Sequence, residues 1–261
     1  MVNGPICDQT LEGQVALVTG AGRNLGRHLA IEAARRGASV GVMVRSDRAA
    51  AEETAREIAN VGGRSVLLVG DVADAAAVSN AVAECVDELG PVSTVIHAAA
   101  FRTHRPMLEL TIEEWRRTLD VTLRGSYLLA HATLDGMVAR GFGRYVLIGG
   151  SSAITGLPIG CAHVATAKSA LRGFVRALSQ EAGSHGVTAN VVSPGMIATE
   201  ERRAADPKLY SGWDPLKASV LGRMVYVEEV VRAAMFLCEV EAAAITGAVL
   251  AVDGGTFAFG D

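Results

Sequence analysis

Short apolar runs and amphipathic helical patterns take turns along this chain, and that alternation restricts the fold severely. Residues 15–18, Val-Ala-Leu-Val, form an apolar run closed by Thr19 and Gly20. A helical pattern through Leu25, Leu29, Ala33 and Ala34 follows and stops at Gly37. The runs 39–44, 65–69 and 93–97 repeat the strand signal, with helical stretches at 48–61 and 74–89 between them. Gly62-Gly63 and Gly90-Pro91 mark the helix ends. Short, uniformly apolar runs read as strands buried on both faces. No hairpin signal such as Asn-Gly joins one strand to the next, so crossovers must do it. Right-handed crossovers give a parallel sheet with helices on both faces. The pattern continues with a helical region at 111–139, a strand at 144–149, a strand at 187–193, a helix at 227–239 and a strand at 248–252. Leu171, Phe174, Val175 and Leu178 give the buried face of another helix. The predicted fold class is α/β: a doubly wound parallel sheet of about seven strands in a single domain. Residues 1–12 are expected to be an N-terminal arm and 13–261 the domain, with a lid at about 196–220.

Half the residues are hydrophobic and a fifth are charged, so a large core is easily filled. The net charge of -4 argues against a nucleic-acid partner, which needs a clustered positive field. No apolar run approaches a membrane span, and the first residues lack a signal-peptide pattern. Cys7, Cys85, Cys161 and Cys238 lie far apart without CxxC spacing, which fits reduced thiols and a cytoplasmic location. The histidines form no HxxxH or HExxH pair, so no metal site is expected. The expected partner is a small-molecule substrate.

Between the first strand and helix lies Thr-Gly-Ala-Gly-Arg-Asn-Leu-Gly, residues 19–26. Glycines let the backbone turn tightly and approach a pyrophosphate, while the helix that follows offers free N–H groups and its positive end.

This loop resembles the T-G-x-x-x-G-x-G pattern of the short-chain dehydrogenase/reductase family. The resemblance extends over about 13–256: Asp71-Val72 after the third strand, His97-Ala-Ala-Ala100 where the family has Asn-Asn-Ala-Gly, 186–199 with its Pro-Gly turn, and the ending 245–255. It implies a Rossmann-like sheet binding a nicotinamide dinucleotide. It places Gly20, Gly22, Arg23, Asn24, Leu25 and Gly26 at the phosphates, Asp71 and Val72 at the adenine, and Ala98, Ala99 and Ala100 along the cofactor. Lys168 falls at the ribose, and Pro194, Gly195, Ile197 and Thr199 near the nicotinamide. Asn24 stands where a glycine is usual, and asparagine tolerates left-handed backbone angles. The second strand ends in Val44-Arg45-Ser46, without a carboxylate before Asp47 to hold a ribose 2′-hydroxyl. Arg23 and Arg45, with Ser46, suit a 2′-phosphate, so the expected cofactor is NADP(H).

In the family, Asn, Ser, Tyr and Lys carry the chemistry, because reducing a carbonyl makes an alkoxide that a donor must meet. Ser151 and Lys168 match the serine and lysine. The tyrosine position is Val164, and the asparagine position is Thr122. Three explanations compete. The chain is a ketoreductase protonated by water or a non-Tyr group; it runs non-redox chemistry as an isomerase, dehydratase or cyclase; or it is an inactive scaffold subunit. The first is favoured, with a cyclic, conjugated or polyketide-type carbonyl as substrate. Candidate donors are His163, next to Val164, and His104, beside Arg102 and Arg105; His97 lies close by. Met196, Tyr210 and Trp213 supply apolar contact in the lid. The long helices 111–139 and 162–184 resemble those that pair family members, so a homo-oligomer, tetramer or dimer, is expected.

Overall fold

The computed structural model describes residues 10–156, 159–198 and 219–256. Residues 1–9 of the expected N-terminal arm and most of the expected lid, with Thr199, Tyr210 and Trp213, lie outside the described residues. Leu11, also assigned to the arm, is instead buried in the core, and its amide donates to Arg36 O at 2.8 Å.

Seven strands form one sheet: β1 (Val15–Thr19), β2 (Ser39–Val44), β3 (Ser65–Val69), β4 (Thr94–His97), β5 (Gly143–Ile148), β6 (Val187–Pro194) and β7 (Val249–Val252). Every pairing is parallel, in the order β3-β2-β1-β4-β5-β6-β7. The alternation of side chains along each strand divides the core in two. Val18, Val40, Val146 and Val192 face one side, against α1 (Asn24–Arg35), α2 (Arg48–Asn60) and the helix Val227–Cys238. Leu17, Met43, Leu147 and Val191 face the other, against α3 (Ala75–Leu89) and the helices Gly125–Arg140 and Ala162–Ala182.

The predicted sheet and its helices on both faces are present. One element departs from the periodic pattern. The helical region 111–139 is α4 (Ile112–Leu119) and α5 (Gly125–Arg140), joined by a π-helical turn at Asp120–Arg124. A capping box of Thr111 and Glu114 starts α4. The wider turn cannot be read from apolar spacing, because the helix axis continues through it. A single helical turn, α6 (Ser152–Thr155), also precedes α7 (Ala162–Ala182). The helix Val227–Cys238 is then α8.

Strand order reverses direction beside β1, where β2 lies on one side and β4 on the other. Loops leaving β1 and β4 therefore diverge to opposite faces and open a crevice at the strands' carboxyl ends.

Candidate active site

A cleft of about 830 Å³ occupies that crevice. Its nucleotide half begins at the β1–α1 loop. Gly20 has φ +68, and a Cβ there would lie 2.8 Å from Ala99 backbone. A Cβ on Gly26 would lie 2.1 Å from the Gly20 carbonyl oxygen. Both positions admit only glycine. Asn24, the first residue of α1, takes φ 49, the left-handed angle its position demands. The loop thus holds its backbone open at a helix N-terminus, a geometry that fits a pyrophosphate.

Gly20, Gly22, Arg23, Asn24, Leu25, Gly26, Arg45, Ser46, Asp71, Val72, Ala98, Ala99, Ala100, Lys168, Pro194, Gly195 and Ile197 all line this one cleft. Arg23 and Arg45 are exposed on it, and neither makes an ion pair among the described residues. Asp47 accepts a hydrogen bond from Ala50 N and caps α2. Asp71 is paired with Arg117 of α4 at 2.7 Å. Partial burial raises its pKa, but the Arg117 hydrogen bond and charge and the Ala73 amide outweigh that and hold it below the usual carboxylate range. Arg117 has no local sequence signal, since only the fold brings α4 to the end of β3.

The reaction half is built by β5 and α7. Ser151 follows β5, and its amide donates to Pro194 O at 2.9 Å, which fixes the β5 and β6 ends together. Its side chain lines the cleft. Val164 and Lys168 lie one turn apart on α7 and line the same wall. Lys168 is buried, and its Nζ donates to the Ile148 carbonyl. Burial pulls its pKa down to about 7, helped by the charge of Arg102. Cys161, another turn residue of the α7 start, also lines the wall; burial raises its pKa. The sequence reads Cys161 only as a reduced thiol, though its position three residues before Val164 is the signal that could have placed it on this wall.

The histidines separate by position. His104 is exposed and lines the cleft. His163 is buried and not among the cleft's lining residues; its Nε2 meets Thr103 Oγ1 at 3.2 Å and its Nδ1 has no partner among the described residues. His97 is buried beneath the cleft, bridging Thr19 and the π turn. The Val121 carbonyl can only accept, so Nε2 carries the hydrogen toward it, at 3.0 Å. Nδ1 then accepts from the Thr19 hydroxyl at 2.7 Å, whose oxygen accepts from Ala99 N. Burial, then the Lys168 charge, pushes the His97 pKa down to about 4, so the ring is neutral. Thr122 is buried in the π turn and does not line the cleft. Tyr145 is likewise not a lining residue of the cleft: its hydroxyl meets Thr133 Oγ1 at 2.7 Å in the core, and burial drives its pKa to about 12.

Sequence and structure comparisons agree with this geometry. A family model described as enoyl-(acyl carrier protein) reductase matches residues 20–256. The chain belongs to the short-chain dehydrogenase/reductase family, whose members are NAD(P)-dependent oxidoreductases. It is 36% identical over 247 residues to the short-chain reductase protein NovJ of Streptomyces niveus, covering 92% of this chain and 93% of that protein. It is 32% identical to 3-oxoacyl-(acyl-carrier-protein) reductase FabG of Escherichia coli, over 94% of this chain and 98% of that one. Among solved structures, a Beutenbergia cavernae protein described as an NAD(P)-dependent gluconate 5-dehydrogenase, with bound NADP, superposes with TM-score 0.86 at 33% identity, covering 95% and 98% of the two chains. Among the described residues, no helix is long and apolar enough to cross a membrane.

Proposed function

We propose that the protein is an NADPH-dependent ketoreductase that reduces a cyclic, conjugated or polyketide-type carbonyl without a catalytic tyrosine. The observation that carries the reading is the convergence of one intact nucleotide cradle with Ser151 and Lys168 in a single cleft, while Val164 holds the tyrosine's place. The relatives described as reductases and the NADP-bound neighbour support it.

The β1–α1 loop amides would hold the pyrophosphate, and Arg23, Arg45 and Ser46 would hold the 2′-phosphate. Asp71 and Val72 would meet the adenine, and Ala98 to Ala100 lead along the cleft to Pro194, Gly195 and Ile197, which would meet the nicotinamide; Thr199, also expected at that end, lies outside the described residues. When bound, the reduced nicotinamide supplies a hydride to the substrate carbon. Ser151 orients the carbonyl oxygen with its hydroxyl. Val164 offers no proton, and His104 is the histidine on the cleft surface. Loss of a positioned acid costs about 10²–10⁴ in rate. A conjugated carbonyl, which spreads the negative charge, offsets that loss.

Exposed Phe236 and Val240 at the end of α8, with Val249 on the edge strand β7, favour a homo-oligomer. A cytoplasmic location fits the reduced thiols of Cys85, Cys161 and Cys238.

A second reading is favoured by Val164 itself: the cleft binds cofactor for non-redox chemistry or for none. Purified protein mixed with NADPH and a panel of quinones and cyclic ketones separates the two. The reductase reading expects loss of the cofactor's absorbance with at least one ketone. Tight NADPH binding without consumption across the panel favours the second.

A further inference from the structure

We infer that Lys168 itself, rather than a phenol, donates the proton to the substrate oxygen in this chain. The inference rests on the ketoreductase reading above. Val164 removes the group that would stand between the lysine and the reacting centre. Its side chain ends far short of a phenol, and it lies on the same helical wall as Lys168, one turn away, with Ser151 across the β5 loop. Nζ is tethered to the Ile148 carbonyl at the end of β5, three residues before Ser151. That single acceptor among the described residues leaves the ammonium with hydrogens to give, since it carries three donors.

The surroundings suit a donor. Among the described residues, the influences on Lys168 are its own burial and then the Arg102 guanidinium from the segment after β4, with no carboxylate among them. His97, from β4 below, is neutral and feels the lysine charge without sharing a hydrogen bond with it. Both influences destabilise the ammonium, and its pKa falls to about 7, where an acid is most effective at neutral pH.

The step balances. The carbonyl carbon accepts hydride with its electron pair from reduced nicotinamide as the reductant, and the C=O π pair moves to oxygen. The O–H bond forms as an Nζ–H bond breaks, its pair staying on nitrogen. Water returns a proton to the neutral amine after the product leaves.

Two measurements on the full chain test this. Trace acylation of lysines followed by mass spectrometry, with and without NADPH across pH 5–11, reads the Lys168 pKa directly. The expected midpoint is near 7 with or without turnover; a midpoint near the ordinary lysine value of about 10.4 overturns the donor role. Lys168→Arg keeps the charge and hydrogen bonds but cannot release a proton. It is expected to bind NADPH within a few-fold of wild type, by cofactor fluorescence, yet lose about 10²–10⁴ in kcat. Its kcat should also lose the wild type's fall above pH 7. A wild type that reduces a ketone while Lys168→Arg does so equally well overturns the donor role alone. A wild type inert to every ketone overturns the ketoreductase reading and the donor with it.

Discussion

At the scale of single residues, charge at the end of β2 decides which cofactor is held. Arg45 is exposed on the cleft and makes no ion pair among the described residues, and Asp47 turns back to cap α2. A hydrogen bond to a charged group contributes about 1.5–3 kcal/mol. Arg45→Glu is therefore expected to weaken NADPH binding about tenfold to a hundredfold while leaving NADH binding within a few-fold. Fluorescence titration with both cofactors reads this; equal weakening of the two would contradict it. Arg23, Arg45, Asp71 and Ser151 were legible in the sequence because each follows a strand end, and strand ends meet at one edge of a parallel sheet. Arg117 was not, because its pairing with Asp71 depends on where α4 is folded back. His97 was legible as a neighbour of the reaction centre, but its role as a neutral brace under Thr19 and Val121 follows only from the packing.

At the scale of elements, α7 is a wall whose chemistry is set by one position. Val164 is nearly covered, yet it faces the cleft rather than the sheet's hydrophobic layer, where Leu171 and Val175 pack. A larger side chain there enters open volume. Val164→Tyr is expected to fold normally and to hold or raise turnover, the phenol taking over the proton donation that Lys168 makes in the wild type. A stopped assay on the most reactive ketone checks it, and a fall in turnover with unchanged NADPH affinity would count against the assignment of this wall. The helices were legible from their apolar spacing, including Leu171 to Leu178. The π turn at Asp120–Arg124 was not. Its extra residue leaves the periodic pattern almost undisturbed, yet it directs the Val121 carbonyl at His97 and buries Thr122 away from the cleft.

At the scale of the whole molecule, two buried bases tie stability to pH. The His97 pKa is about 4 in the fold against about 6.5 in an unfolded chain, so the unfolded state binds the extra proton between those values. Stability is fully present above pH 6.5 and declines as pH falls toward 4, at up to about 1.4 kcal/mol per pH unit for one proton. Lys168, lowered to about 7, acts in the same sense higher up: stability rises with pH from 7 toward about 10.4. Urea unfolding at pH 7 and pH 5 is expected to show a shallower loss in His97→Asn than in wild type, and identical losses would refute the brace. The same sheet that buries these bases gathers the β1–α1 loop, Ser151 and Lys168 at its carboxyl edge, and the proposed reductase moves a hydride there. Incubation with NADPH deuterated at the nicotinamide C4 and a reactive cyclic ketone, followed by mass spectrometry of the product, tests that most directly. Deuterium on the new carbinol carbon is the predicted result; firm NADPH binding with no deuterated alcohol from any ketone would contradict it.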